Sequence, residues 1–233
     1  MHILCTPSGY DPLLRRPFSV HYADPETGRI VIVYEVRGRG TKALSERKQG
    51  EFIDVIGPLG QGFRIPEADD GRPFLLIGGG IGVAPLYFTV RRLEERFGPD
   101  RLTFIVGART GGLILCQNEF EKHCRDYHAC TDDGSLGFHG FVTGRMCECL
   151  DGESFCALPI IYACGPMPML KAVSKLAQEH DCDCQVSVEA KMACGVGACL
   201  SCVIKVRDGD SFKYVRSCAE GPVFDASEVI WDE

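Results

Sequence analysis

Residues 74–86 read FLLIGGGIGVAPL, an apolar run that ends in glycines and passes into an amphipathic stripe. The run Phe74 to Ile77 carries no polar residue, as a strand buried on both faces requires. Beyond the glycines, Leu86, Val90, Leu93 and Phe97 follow at steps of four, three and four, which is one face of a helix. A second apolar run, Leu102 to Val106, comes after the breaker Gly98-Pro99. Strand, helix and strand in this order predict a βαβ unit in a parallel sheet.

Outward from that unit, Ile160 to Ala163 predicts another strand. It runs into Cys164-Gly165-Pro166 and a helix whose apolar face is Leu170, Val173 and Ala177. Pro166 stands where a helix start tolerates a proline. Upstream, the chain reads as β. Ile30 to Val36 is β-branched and aromatic, and Glu51 to Ile56 alternates polar and apolar before Gly57-Pro58. Residues 57–73 are rich in Gly, Pro and Asp and predict a boundary. The pattern breaks again near residue 180.

Four segments bear on chemistry. The first is Cys194, Cys199 and Cys202, spaced Cys-x4-Cys-x2-Cys, with Cys218 after fifteen more residues. This is the plant-type ligand spacing of a 2Fe-2S cluster. Four soft thiolates complete two sulfide-bridged irons, and Gly195 and Gly197 let backbone N–H groups approach the sulfides. A zinc site or buried free thiols are the competing readings. The second is Arg16-Pro17-Phe18-Ser19, where an arginine suits a pyrophosphate and a hydroxyl suits a flavin ring; an edge strand with a solvated arginine is the alternative. The third is Gly78, Gly79, Gly80 and Gly82 with Pro85. Such a loop lets backbone approach a pyrophosphate at a helix start, although Pro85 replaces the last glycine of the G-x-G-x-x-G fingerprint; a ligand-free glycine turn competes. The fourth, Ala163 to Pro166, places a cysteine at the carboxyl edge of a sheet, where ligands bind.

Composition bounds the rest. The 233 residues are 45% hydrophobic and 24% charged, ordinary for a globular chain long enough for two or three small domains. A net charge of −7 argues against nucleic acid and anionic membrane partners. The most apolar stretch, Phe74 to Phe88, is too short to span a bilayer. No basic-then-apolar signal opens the sequence, so a cytoplasmic location is expected. In a reducing compartment the 14 cysteines point to metal rather than disulfides. Cys5, Cys116, Cys124, Cys130 and Cys156 read as small core residues, and the pairs Cys147/Cys149 and Cys182/Cys184 have no partner pair at ligand spacing.

Taken in order, these segments resemble the ferredoxin–NADP reductase superfamily and, within it, the electron-transfer subunits of NAD-dependent (class 1B) dihydroorotate dehydrogenases. The match is carried by RRPFSV (15–20), GTKALSERKQGEFIDVIGPLGQGF (40–63), GGGIGVAPL (78–86), TDDGSLGFHGFVT (131–143), YACGPMPMLKA (162–172), VEAKMACGVGACLSCVIK (188–205) and CAEGPVFDASEVIW (218–231). The resemblance implies an antiparallel FAD-binding β-barrel over 1–70, a Rossmann-like parallel α/β domain for NAD over 71–181 and a plant-type 2Fe-2S domain over 182–233. The family has barrel strands, with a Pro-Gly-Gln-Phe stretch, ahead of the position held here by His2-Ile3-Leu4, so the barrel is expected to lack its opening strands.

Carried over by position, Arg16, Pro17, Phe18 and Ser19 contact FAD, as do Val33, Tyr34 and Glu35 on the next strand. Gly40 and Thr41 cradle its pyrophosphate. Gly78, Gly79, Gly80, Gly82 and Pro85, with Cys164, Gly165 and Pro166, shape the nicotinamide site, and Cys194, Cys199, Cys202 and Cys218 hold the cluster. Ser19 and Cys164 are the expected catalytic residues. The implied activity is a relay from a partner's FMN, reduced by dihydroorotate, through the cluster and FAD to NAD⁺. The implied partner is the FMN-containing catalytic subunit, two copies with two of this chain. NAD over NADP rests on the family, since Arg109 after the Val106-Gly107 strand end could serve a phosphate. A reductase of another redox system and an iron–sulfur interaction protein without FAD are the rival readings.

Overall fold

The computed structural model describes residues 1–6, 11–152 and 154–231. The first part consists of short antiparallel pieces: β1 (His2–Leu4), β2 (Arg16–Pro17), β3 (Tyr22–Asp24), β4 (Arg29–Val31), helix α1 (Arg39–Ser45) and β5 (Asp54–Ile56). β1 lies between β2 and β5, with His2 opposite Pro17 on one side and Ile56 on the other. β3 and β4 form a separate hairpin. Ile3, Cys5 and Leu44 make a small core here, with Phe18, Ile32 and Tyr34 packed against it.

The strand expected over 30–36 is shorter. Ladder pairing stops at Val31, so Val33, Tyr34 and Glu35 lie beyond the strand rather than on it. A strand exists only where a neighbour takes its backbone hydrogen bonds, and none of the described strands pairs with 32–37. Gly40 and Thr41 lie in the first turn of α1.

The remaining elements are β6 (Phe74–Gly79), α2 (Val83–Phe97), β7 (Leu102–Ala108), α3 (Gln117–His123), β8 (Asp126–Thr131), β9 (Phe138–His139), α4 (Val142–Asp151), β10 (Ile160–Cys164), α5 (Met167–Glu179), β11 (Cys184–Ser187), β12 (Val203–Asp208), β13 (Ser211–Arg216) and β14 (Val223–Asp225). A seven-stranded sheet has the order β14-β11-β10-β6-β7-β8-β9 and is parallel except for β14. Alternation along β6 sends Phe74 and Leu76 into one core with α2 and α3, and Leu75 and Ile77 into the other with α4 and α5. Burial on both faces explains the unbroken apolar run. β11 and β14 belong to this sheet, so it crosses the division expected at 181/182. β12 and β13 form a hairpin outside it. No helix among the described residues is long and apolar enough to cross a membrane.

Candidate cofactor sites

After β6 the chain proceeds outward through β7 and β8, whereas β10 and β11 lie on the opposite side of β6. Strand order therefore reverses between β6 and β10, and such a switch point opens a crevice at the carboxyl ends of the strands. Both expected nicotinamide segments meet there, since Cys164 pairs with Gly78 in the ladder. Their glycines permit that contact. A Cβ on Gly82 would lie 2.2 Å from the Cys164 carbonyl oxygen, and one on Gly79 would lie 2.5 Å from Met169 Sδ. Gly165 faces Met169 and Gly79 in the same way. Gly80 has φ +52° with nothing near its missing Cβ, so this residue presents bare backbone. Gly80 to Gly82 form a single 3-10 turn, and Pro85 lies in the first turn of α2. Pro166 caps α5.

The Cys164 thiol is pushed up to about 12 by burial, opposed by a hydrogen bond from Ser187. At neutral pH it is a protonated thiol, suited to packing beside a ring and not to nucleophilic attack.

The four loop cysteines come together as two pairs. The side chains of Cys194 and Cys199 meet, as do those of Cys202 and Cys218. Backbone N–H groups converge on the sulfurs: Val196 N reaches Cys194 Sγ at 3.4 Å and Gly197 N reaches Cys218 Sγ at 3.2 Å. The N–H of Val196, then that of Cys199 and its thiol, draw Cys194 down to about 6. Desolvation pushes Cys218 up to about 11. Such donors stabilise negative sulfur whether it belongs to a thiolate or to a metal-bound ligand. Cys202 and Cys218 are buried, and Cys199 is exposed.

At the N-terminal sheet, Arg16 lies along Gly40; a Cβ there would approach Arg16 Nε to 3.1 Å. Arg16 Nη1 donates to the Leu14 carbonyl at 2.5 Å. The Thr41 hydroxyl accepts from Arg37 N at 2.9 Å and Gly38 N at 3.1 Å, closing the turn into α1. Phe18 meets Tyr34 edge-on, with ring centroids 5.4 Å apart, while Pro17, Ser19 and Glu35 are exposed. Arg16, Phe18, Tyr34, Gly40 and Thr41 thus share one region.

A family model described as the iron-sulfur cluster binding domain of dihydroorotate dehydrogenase B matches residues 189–230, and one for the oxidoreductase NAD-binding domain matches 76–175. The dihydroorotate dehydrogenase B (NAD(+)) electron transfer subunit of Shouchella clausii is 42% identical over 94% of this chain and 81% of its own length. The chain belongs to that family. The subunit of the same name from Desulforamulus reducens is 39% identical over 100% of the chain and 86% of its own length. Among solved structures, an NADH-dependent reduced ferredoxin-NADP oxidoreductase superposes with TM-score 0.82 at 33% identity, over 99% of this chain and 78% of its own. The ferredoxin reductase of carbazole 1,9a-dioxygenase, at 22% identity and TM-score 0.62 over 78% of this chain and 55% of its own, shares the fold. The architecture is therefore mixed α/β of the ferredoxin–NADP reductase type, with an iron–sulfur binding segment.

Against that family background, two residues to which the sequence reading gave no site role lie against the cysteine loop. His2 is buried to 1%, with its ring beside the backbone of Cys194. A Cβ on Gly195 would fall 2.2 Å from His2 Nδ1, so the ring fills the place of that side chain. Arg216 donates from Nη1 to the Gly197 carbonyl at 2.8 Å and from Nε to Glu220 at 3.0 Å, bracing the cysteine loop from β13. No motif marks either residue: a histidine on a short strand and an arginine on a hairpin are ordinary until the fold sets them against the loop.

Proposed function

We propose that this chain is the subunit that carries electrons between a catalytic partner and NAD⁺, through one 2Fe-2S cluster and one FAD. The observation that carries this reading is the contact of His2 with Gly195, which sets the cysteine loop against the strands bearing the Arg16–Ser19 motif. Adjacent cofactors need such a junction, because electrons cross short gaps.

Several features fit the groups. Cys194 with Cys199 and Cys202 with Cys218 match the two-plus-two ligand demand of a two-iron cluster. A single zinc would draw four sulfurs to within about 4 Å of one another. Among the described residues, the group of three or more potential ligands gathered within 4.8 Å is instead His21, Cys116 and Glu119. For FAD, the Arg16 guanidinium packs on the buried Gly40, whose missing side chain leaves room for it beside the start of α1, and a guanidinium suits a pyrophosphate. Pro17, Phe18, Ser19, Val33, Tyr34, Glu35 and Thr41 complete that region, with Ser19 exposed where a flavin ring can reach its hydroxyl. For NAD, Gly78, Gly79, Gly80, Gly82, Pro85, Cys164, Gly165 and Pro166 line the crevice that would hold a nicotinamide, with the protonated Cys164 thiol among them.

When bound, the cluster supplies single-electron transfer and the flavin supplies exchange between one-electron and hydride chemistry. The protein's part is to position. Arg16 anchors, Ser19 orients, the glycines allow close approach, and the loop N–H groups hold charge on sulfur. Three units follow, a flavin-binding barrel over 1–70, a nucleotide unit over 71–181 and a cluster unit over 182–233, the last lending β11 and β14 to the central sheet. The partner is an FMN-containing dihydroorotate dehydrogenase catalytic subunit, in a complex of two and two, in the cytoplasm.

Cys199→Ser tests the reading. A hydroxyl is a hard, weakly acidic ligand, so the visible absorbance of the cluster and its reduced-state electron paramagnetic resonance signal are expected to disappear. Iron and sulfide at wild-type levels in this variant would overturn the ligand assignment.

A further inference from the structure

A second group of metal-ligand side chains lies away from the cysteine loop. His21, Cys116 and Glu119 bring one ligand atom each within 4.8 Å of one another. His21 immediately precedes β3 and is buried to 2%. Its Nδ1 lies 3.0 Å from the Ala84 carbonyl oxygen, which can only accept, so Nδ1 carries a hydrogen. Its ring stacks on Tyr87, with centroids 4.6 Å apart and 14° between planes. Nε2 is thereby aimed at Glu119 Oε2, 3.2 Å away.

In a neutral imidazole with hydrogen on Nδ1, Nε2 is an acceptor, and a carboxylate oxygen is another. Two acceptors at that distance need a proton or a cation between them. The thiol of Cys116 also hydrogen-bonds to Glu119, so a third donor atom converges on the same point. Cys116 is held at φ 58°, a left-handed conformation rare outside glycine, at the residue before α3. An imidazole fixed by a backbone carbonyl through its other nitrogen is the usual arrangement of a metal-ligating histidine. Nitrogen and oxygen ligands at about 2.0–2.1 Å on a tetrahedron stand about 3.3 Å apart, close to the spacing found here.

We propose that His21, Cys116 and Glu119 form a site for one divalent cation of the zinc class, with water as the fourth ligand. On binding, the Cys116 thiol loses its proton to solvent, and the resulting thiolate bonds the metal. The ion ties the segment just after Ser19 to the start of α3. It acts as a cross-link between the flavin-side strands and the helical layer of the large sheet, and it is independent of the cluster.

The test uses the full chain with its cluster. One equivalent of zinc is added and the protein dialysed, followed by zinc analysis and zinc-edge X-ray absorption. The expected result is about one zinc per chain, with a single sulfur and otherwise nitrogen and oxygen neighbours. Glu119→Gln, at an exposed position, and Cys116→Ser are each expected to weaken binding about tenfold or more, the latter with loss of the sulfur neighbour. Failure of wild type to retain zinc would overturn the proposal and leave a protonated His21–Glu119 ion pair only. A four-sulfur shell would also overturn it, since zinc would then occupy the cysteine loop. So would unchanged affinity in Glu119→Gln, which stands as a test even if Cys116→Ser fails to fold.

Discussion

Arg16 has two visible tasks and one expected task. It donates to the Leu14 carbonyl and lies along Gly40, and the proposed function adds the flavin pyrophosphate. A charge-assisted contact of this kind is worth about 1.5–3 kcal/mol. Arg16→Ala is therefore expected to lower FAD affinity about tenfold or more, measured as flavin remaining after dialysis. Unchanged flavin content would remove Arg16 from the site. The buried thiols behave differently from Cys194, which is drawn down to about 6. Cys124, Cys130 and Cys164 are each pushed up to about 12 from the ordinary 9.0, chiefly by burial. Because the folded value is raised, these groups contribute stability that is complete below pH 9 and is lost as pH rises toward 12. The thermal midpoint is expected to fall across that alkaline window, and Cys130→Ala is expected to flatten the fall while lowering stability at neutral pH. An alkaline limb as steep in the variant as in wild type would contradict this assignment.

At the scale of elements, the junction between β1 and the cysteine loop is a tightly constrained contact. Gly195 has φ +72°, and its missing Cβ is replaced by the His2 ring. Gly195→Ala adds left-handed strain of about 1–2 kcal/mol and overpacking of about 1–3 kcal/mol. Loss of cluster occupancy and a lower thermal midpoint are expected. In the double variant with His2→Ala, the overpacking part should return while the strain remains, so the two changes couple; strictly additive effects would show that the ring does not occupy that space. Little of this junction was legible beforehand. The steps of four, three and four along α2 and the apolar run of β6 report a buried sheet directly, because periodicity is written by burial. His2 carries no such pattern, since its role is set by a loop nearly two hundred residues away. α4 was missed although Val142, Met146 and Cys149 are its buried stripe, because Gly144 and two cysteines make a weak helical signal. The strand over 30–36 was overcalled because β propensity cannot report whether a partner strand exists.

For the whole molecule, function depends on how the cysteine loop meets another protein. Cys199 is exposed, and so are Val196, Leu200, Phe212 and Tyr214, at 56%, 61%, 48% and 64%. These apolar and aromatic side chains lie on the loop and on the neighbouring β12–β13 hairpin, a composition found where interfaces have their buried anchors. A relay must present its cluster within short reach of the donor, so this face is the natural place for the partner subunit. The net charge of −7 is no obstacle, because complementarity at such a surface is local. Co-expression with the catalytic subunit from the same genome is expected to give a complex stable to size-exclusion chromatography, and only that complex should reduce NAD⁺ with dihydroorotate. Alone, the chain should pass electrons from NADH to dyes and no further. Leu200→Asp is expected to weaken association at least tenfold, because it buries a charge at the contact, while leaving dye reduction intact. A complex that forms equally well with Leu200→Asp would place the partner elsewhere. A chain that holds both cofactors yet never associates would serve a different redox system.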